Sequence, residues 1–178
     1  MVKIYQKAPE FKTQGYFEGK IQDFSLKDFS GKWVVLFTYP LDFTFVCPTE
    51  LQQFSERHDA FKRLGAQVMS LSIDSPYSHQ AWSKADLKEQ KYPMLSDLNH
   101  AISTAYGCYL EDKGVTLRST YVIDPQGTVQ WIEHNPLNVG RNADEVLRVV
   151  TALQTGELCG AGWKSGEQTL TKKLGLKG

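Results

Sequence analysis

Cys47 stands in the stretch YPLDFTFVCPTEL, after an apolar run and before a Pro-Thr-Glu that opens a helix. This places its sulfur past the carboxyl end of a strand, where open α/β sheets bind ligands. Free backbone N–H groups and the helix dipole there favour an anion. A thiolate is such an anion, and it is the reactive form of cysteine. Pro48 lacks a backbone N–H, which costs little at the start of a helix. Most lone cysteines are small buried hydrophobes. Pro48, Thr49 and Glu50, however, belong to a helix start rather than a core, and the Thr44 hydroxyl can face the same pocket.

The other two cysteines, Cys108 and Cys159, are distant, and no pair has C-x-x-C spacing. A dithiol motif would need its second cysteine at position 50, which is Glu50. A disulfide partner for Cys47 must therefore come from far along the chain or from another chain. His58, His79, His100 and His134 do not cluster with the cysteines, so neither a zinc site nor any other metal is expected.

The elements around Cys47 follow from periodicity. Residues 33–39 (WVVLFTY) read as a central strand buried on both faces. Residues 50–64 carry a helical stripe, Leu51, Phe54, Phe61 and Leu64, closed by Gly65. Residues 66–73 read as the next strand, which makes a right-handed βαβ unit with parallel strands. Helices are expected over 78–91, ended by Pro93, and over 99–106, closed by Gly107. Residues 119–124 and 128–133 form a hairpin about the Asp-Pro-Gln-Gly turn. Residues 142–154 form a helix with a capping-box-like pair, Asn142 and Glu145. The order suggests a thioredoxin-like α/β fold, a central mixed sheet flanked by helices. The expected division is a domain over 1–155 and a glycine-rich C-terminal arm, mobile or docked, over 156–178.

Composition sets outer bounds. The chain has 178 residues, with 20 Lys+Arg against 20 Asp+Glu, so its formal net charge is zero. That argues against nucleic-acid or anionic-membrane partners, which favour a basic face. The N-terminal stretch lacks a signal-peptide apolar run, and no window holds the roughly 18 unbroken apolar residues of a membrane span. A cytoplasmic setting is the expectation, and there cysteines serve catalysis more often than structural disulfides.

Pro40-x-x-x-Thr44-x-x-Cys47, continuing as Pro48-Thr49-Glu50, resembles the active-site motif of the peroxiredoxins, specifically the typical two-cysteine class of AhpC type. Further landmarks follow in family order: SIDSPYSHQAW, PMLSD, RSTYVIDPQG and VGRNADEVLR. The resemblance implies a thiol-dependent peroxidase that reduces hydrogen peroxide and organic hydroperoxides without a cofactor. It implies Cys47 as the peroxidatic cysteine and Cys159 as the resolving cysteine. It implies Thr44 as a hydrogen-bonding partner of the peroxide and the sulfur, Pro40 as a shield against water, and Arg118 as the cation that holds the thiolate. The resolving cysteine comes from the partner subunit in this class. A thioredoxin, a flavoprotein disulfide reductase or an AhpD-type protein would reduce the disulfide. Homodimers that assemble to a decamer are implied, with Phe43, Phe45, His79 and Trp82 near a dimer–dimer contact. The competing function is a redox-regulated chaperone or peroxide sensor, which would require easy overoxidation. The Gly-Gly-Leu-Gly insert and C-terminal Tyr-Phe pair of the overoxidation-sensitive members are missing, so resistance to overoxidation is expected. The resolving segment begins Cys159-Gly160 where Cys-Pro is usual, which suggests an arm that undocks readily.

Overall fold

An antiparallel hairpin, β1 (Lys12–Phe17) and β2 (Lys20–Ser25), opens the fold. It had no counterpart in the sequence reading. Glu18 (φ 49°) and Gly19 (φ 77°) make its two-residue turn, a conformation that suits the twist of a hairpin. The computed structural model describes residues 1–88 and 90–176. Glu89, inside the helix expected over 78–91, and Lys177 and Gly178, at the end of the expected arm, lie outside the described residues.

β3 (Trp33–Thr38) is the buried strand read from the sequence, with Val34 to Phe37 no more than 2 % exposed. The helix expected after it comes in two pieces, α1 (Cys47–Glu56) and α2 (His58–Arg63). Arg57 breaks them with φ −88° and ψ −1°. β4 (Ala66–Ser72) then pairs parallel with β3, completing the expected βαβ unit. α3 (Pro76–Trp82) stops earlier than expected and passes into a wider π turn, Ser83–Leu87, which buries Ser83 and Leu87. β5 (Met94–Ser96) and α4 (Ala101–Tyr106) follow, then a small pair, β6 (Tyr109–Leu110) and β7 (Val115–Thr116). β8 (Arg118–Ile123) and β9 (Val129–Asn135) form the expected hairpin. α5 (Ala143–Thr155) begins with Asn142 accepting from the Asp144 N–H. The expected pair with Glu145 is not made, because the Asn142 side chain caps Asp144 and Glu145 pairs with Arg148.

Seven of these nine strands form one mixed sheet, β2-β1-β5-β4-β3-β8-β9. Alternation along β3 splits the core by face. Val35 and Phe37 join Cys47, Leu51, Phe54 and Val146 on one side. Leu36 joins Met69, Tyr106, Cys108 and Tyr121 on the other. Beyond Gly156, which closes α5 in the left-handed region, the chain is docked. Leu170 N–H bonds to Leu158 O at 2.7 Å, and the buried Trp163 gives its carbonyl to Arg148. A short α6 (Leu170–Lys173) ends the described chain. No helix among the described residues is long and apolar enough to cross a membrane.

Candidate active site

β3 delivers the chain to one end of the sheet, where Tyr39 and Pro40 are buried. Loop residues 41–46 then lead into α1, whose first residue is Cys47. Val46 offers no side-chain cap, so the dipole end of a ten-residue helix points at the cysteine without a competing acceptor. The loop is pinned from beneath by Asp42. Tyr39 OH donates to Asp42 Oδ1 at 2.7 Å, Ser78 Oγ donates to Oδ2 at 2.7 Å, and His79 Nδ1 lies 2.8 Å from Oδ2. This anchoring holds Phe43 at φ 54°, a left-handed conformation unusual for an aromatic residue.

The Cys47 sulfur is fully buried, and Arg118 Nη1 donates to it at 3.3 Å. Arg118 is the first residue of β8, beside β3 in the sheet. The same nitrogen donates to Glu50 Oε2 at 2.5 Å, and Arg118 Nε donates to Leu137 O at 2.9 Å. Glu50 sits three residues after Cys47 on the same helix face. Its other oxygen, Oε1, accepts from Arg141 Nε at 2.8 Å and from the Arg141 backbone N–H at 3.0 Å. Arg141 Nη1 donates to Ser119 O at 2.8 Å, and its guanidinium lies over the Phe37 ring, 5.0 Å from the centroid. Glu50 is 2 % exposed. A buried carboxylate is costly unless paired, and two charge-assisted guanidinium contacts supply the pairing. The result is a fixed chain, Cys47–Arg118–Glu50–Arg141. It can hold a sulfur anion and meet charge that develops on an attacked atom.

The structure brings together Cys47 and Arg118 from the expected set, with Pro40 buried in the same strand-to-helix passage. Thr44 is half-buried in the adjoining loop, but its hydroxyl donates to Leu41 O at 2.9 Å rather than to the sulfur. Cys159 is elsewhere. It is half-buried past the end of α5, 3.5 Å from Thr155 Oγ1, and lines an open cavity of about 470 Å³ with Trp131, Arg148 and Leu153. All three cysteines are free thiols, and Cys108 lies in the other core, where burial pushes its thiol up. Glu50 and Arg141 are the partners that sequence reasoning missed. The three-residue spacing from Cys47 was a usable signal for Glu50. Arg141 stood inside the VGRNADEVLR landmark, but its contact with Glu50 spans 91 residues of chain.

Known proteins resemble this chain over most of its length. The profile of the AhpC/TSA family matches residues 4–132. Peroxiredoxin prdx-2 of Caenorhabditis elegans is 46 % identical, over 98 % of this chain and 90 % of that protein. The reduced 2-Cys peroxiredoxin of Plasmodium vivax superposes with a TM-score of 0.89 at 37 % identity, covering 94 % of this chain and 92 % of that one. AhpC of Enterococcus faecalis gives a TM-score of 0.85 at 38 % identity, over 87 % of this chain and 94 % of that one.

Proposed function

We propose a two-cysteine cycle for this chain, which belongs to the AhpC/TSA family and is a peroxiredoxin, a thiol-dependent peroxidase. The Cys47 thiolate attacks one oxygen of hydrogen peroxide or an organic hydroperoxide, and the O–O bond breaks. Cys47 becomes a sulfenic acid, and the other oxygen takes a proton and leaves as water or an alcohol. The observation that carries this reading is the Arg118 guanidinium 3.3 Å from a buried sulfur at a helix mouth. Negative charge passes from sulfur to oxygen, and a cation held in place by Glu50 meets it without reorganising. Arg118 stays charged and presents its N–H groups in one plane. Thr44 accepts the peroxide O–H through its free lone pairs, and Pro40 keeps water from the pocket.

The Cys159 thiol of a partner subunit then condenses with the sulfenic acid, giving a disulfide and water. The burial of Cys47 and the separate seat of Cys159 support a rearrangement at this step. An external dithiol, from a thioredoxin, a flavoprotein disulfide reductase or an AhpD-type protein, restores both thiols. A cytoplasmic setting suits a cycle that begins from free thiols. We assign residues 1–155 to the peroxidase domain and 156–178 to the resolving arm. The homodimer draws support from β9, an edge strand of the sheet, and from the exposed Leu158 and Leu174 of the arm. Assembly to a decamer draws support from Phe43, Phe45 and Tyr77, which are 55, 94 and 69 % exposed beside the buried His79 and Trp82.

Peroxide consumption with dithiothreitol as sole reductant tests the assignment. Wild type turns over, and Cys47→Ser is inactive. Undiminished turnover by Cys47→Ser would remove Cys47 from its role.

A further inference from the structure

Beyond Arg141 the ionic chain behind Cys47 makes no further ion pair among the described residues, but a second carboxylate stands nearby. Glu133 lies on β9, and strands disfavour glutamate. Its directly opposed neighbour is Thr120 on β8, so the two side chains share a face of the sheet. Alternation puts them on the same face as Arg118, two residues before Thr120. The Arg141 guanidinium reaches this spot through its bond to Ser119 O. The Glu133 carboxyl responds to its surroundings: burial pushes it up, Arg141 pulls it down, and Glu145 and Glu50 push it up.

Three buried polar atoms of these residues have no hydrogen-bond partner among the described residues, and none bonds another: Thr120 Oγ1, Glu133 Oε2 and Arg141 Nη2. Buried polar atoms are seldom left unpaired, and unpaired ones need an explanation. These three include a cation, an anion and a hydroxyl, so they complement one another. The charges also balance. Arg118 and Arg141 bring two positive charges to Glu50, which brings one negative charge. An ionised Glu133 supplies the second, leaving the resting site neutral while Cys47 is a thiol.

We propose that Glu133 is a positioning residue for the peroxide reaction, the outer carboxylate that steadies Arg141 and, through Arg141 and Glu50, the Arg118 guanidinium on the Cys47 sulfur. This inference rests on the peroxidase reading of Cys47. Without the Glu133 charge, Glu50 alone balances Arg141, and Arg118 loses part of the carboxylate that aims it. The site also gains net positive charge, which favours the thiolate.

Stopped-flow peroxide consumption by the intact protein, as a function of pH, tests the proposal. Glu133→Gln keeps the shape and removes the charge. Its plateau rate constant is expected to fall roughly five- to tenfold, and its pH midpoint to move to lower pH. In an Arg141→Lys background the same substitution is expected to change the rate less than about twofold, because Glu133 acts through Arg141. A purely structural role would lower the rate without moving the midpoint. Glu133→Thr, which suits a strand, is expected to show the same midpoint shift and serves if Glu133→Gln folds poorly. A folded variant with the wild-type rate and midpoint overturns the proposal, as does full additivity with Arg141→Lys. A wild-type chain that consumes no peroxide overturns the peroxidase reading itself, and this inference with it.

Discussion

In the proposed cycle, Arg118 carries most of the chemistry that one residue can add at Cys47. It is buried, held at Nε by Leu137 O, and shares Nη1 between the sulfur and Glu50. Arg118→Lys keeps the charge and loses the planar fork, so one ammonium must serve three acceptors. Its peroxide rate constant is expected to fall on the order of 10²-fold, the usual cost of one preorganised donor; a loss of less than about threefold would contradict this role. Cys108 presents the opposite case. Burial pushes its thiol up, so it holds less thiolate than an ordinary cysteine at a given pH. Alkylation of the reduced native protein, followed by mass spectrometry, is expected to modify Cys159 well before Cys108. Faster modification of Cys108 would remove it from the buried core.

At the scale of elements, α1 is the part that the chemistry depends on, and its far end is tied to α5. Arg57, at the break between α1 and α2, makes a two-pronged ion pair with Asp144 in the first turn of α5. The Arg57 hydrogen bond holds the Asp144 carboxyl below its ordinary value of 3.8. A carboxyl lowered in the folded state adds stability above the unfolded value and loses it as pH falls through the folded one. Asp144→Asn is therefore expected to lower Tm slightly at neutral pH, with the gap from wild type closing below about pH 4. A gap unchanged in acid would rule out this ion pair as its source. The break at Arg57 was not legible in the sequence, because the apolar stripe Leu51, Phe54, Phe61 and Leu64 runs through it without a glycine or proline. The strands beside the site were legible because β3 is buried on both faces and densely apolar, and β8 runs into the Asp-Pro-Gln-Gly turn. β1 and β2 alternate with many exposed polar residues, and β5 spans three residues, so neither gave a periodic signal. The Glu18-Gly19 turn was the cue left unread.

At the scale of the molecule, the site was legible where its members are close in sequence and illegible where the fold joins distant ones. Cys47 stood out by its place at a helix start, whereas the roles of Thr44, Pro40 and Arg118 came into the expected set only through the family resemblance. Arg141 and Glu133 enter only when β8, β9 and the start of α5 fold over α1. Cys47 is sealed beneath its helix mouth and Cys159 is seated past α5, so the proposed cycle calls for movement and, in its intersubunit form, for a second chain. Non-reducing electrophoresis with mass spectrometry, after one equivalent of hydrogen peroxide on wild type and Cys159→Ser, tests that requirement most directly. The account predicts a Cys47–Cys159 crosslinked dimer in wild type, replaced by Cys47 sulfenic acid in the variant. Unmodified monomeric thiols in both would contradict the activation of Cys47, and a Cys47–Cys108 bond would contradict the assignment of Cys159.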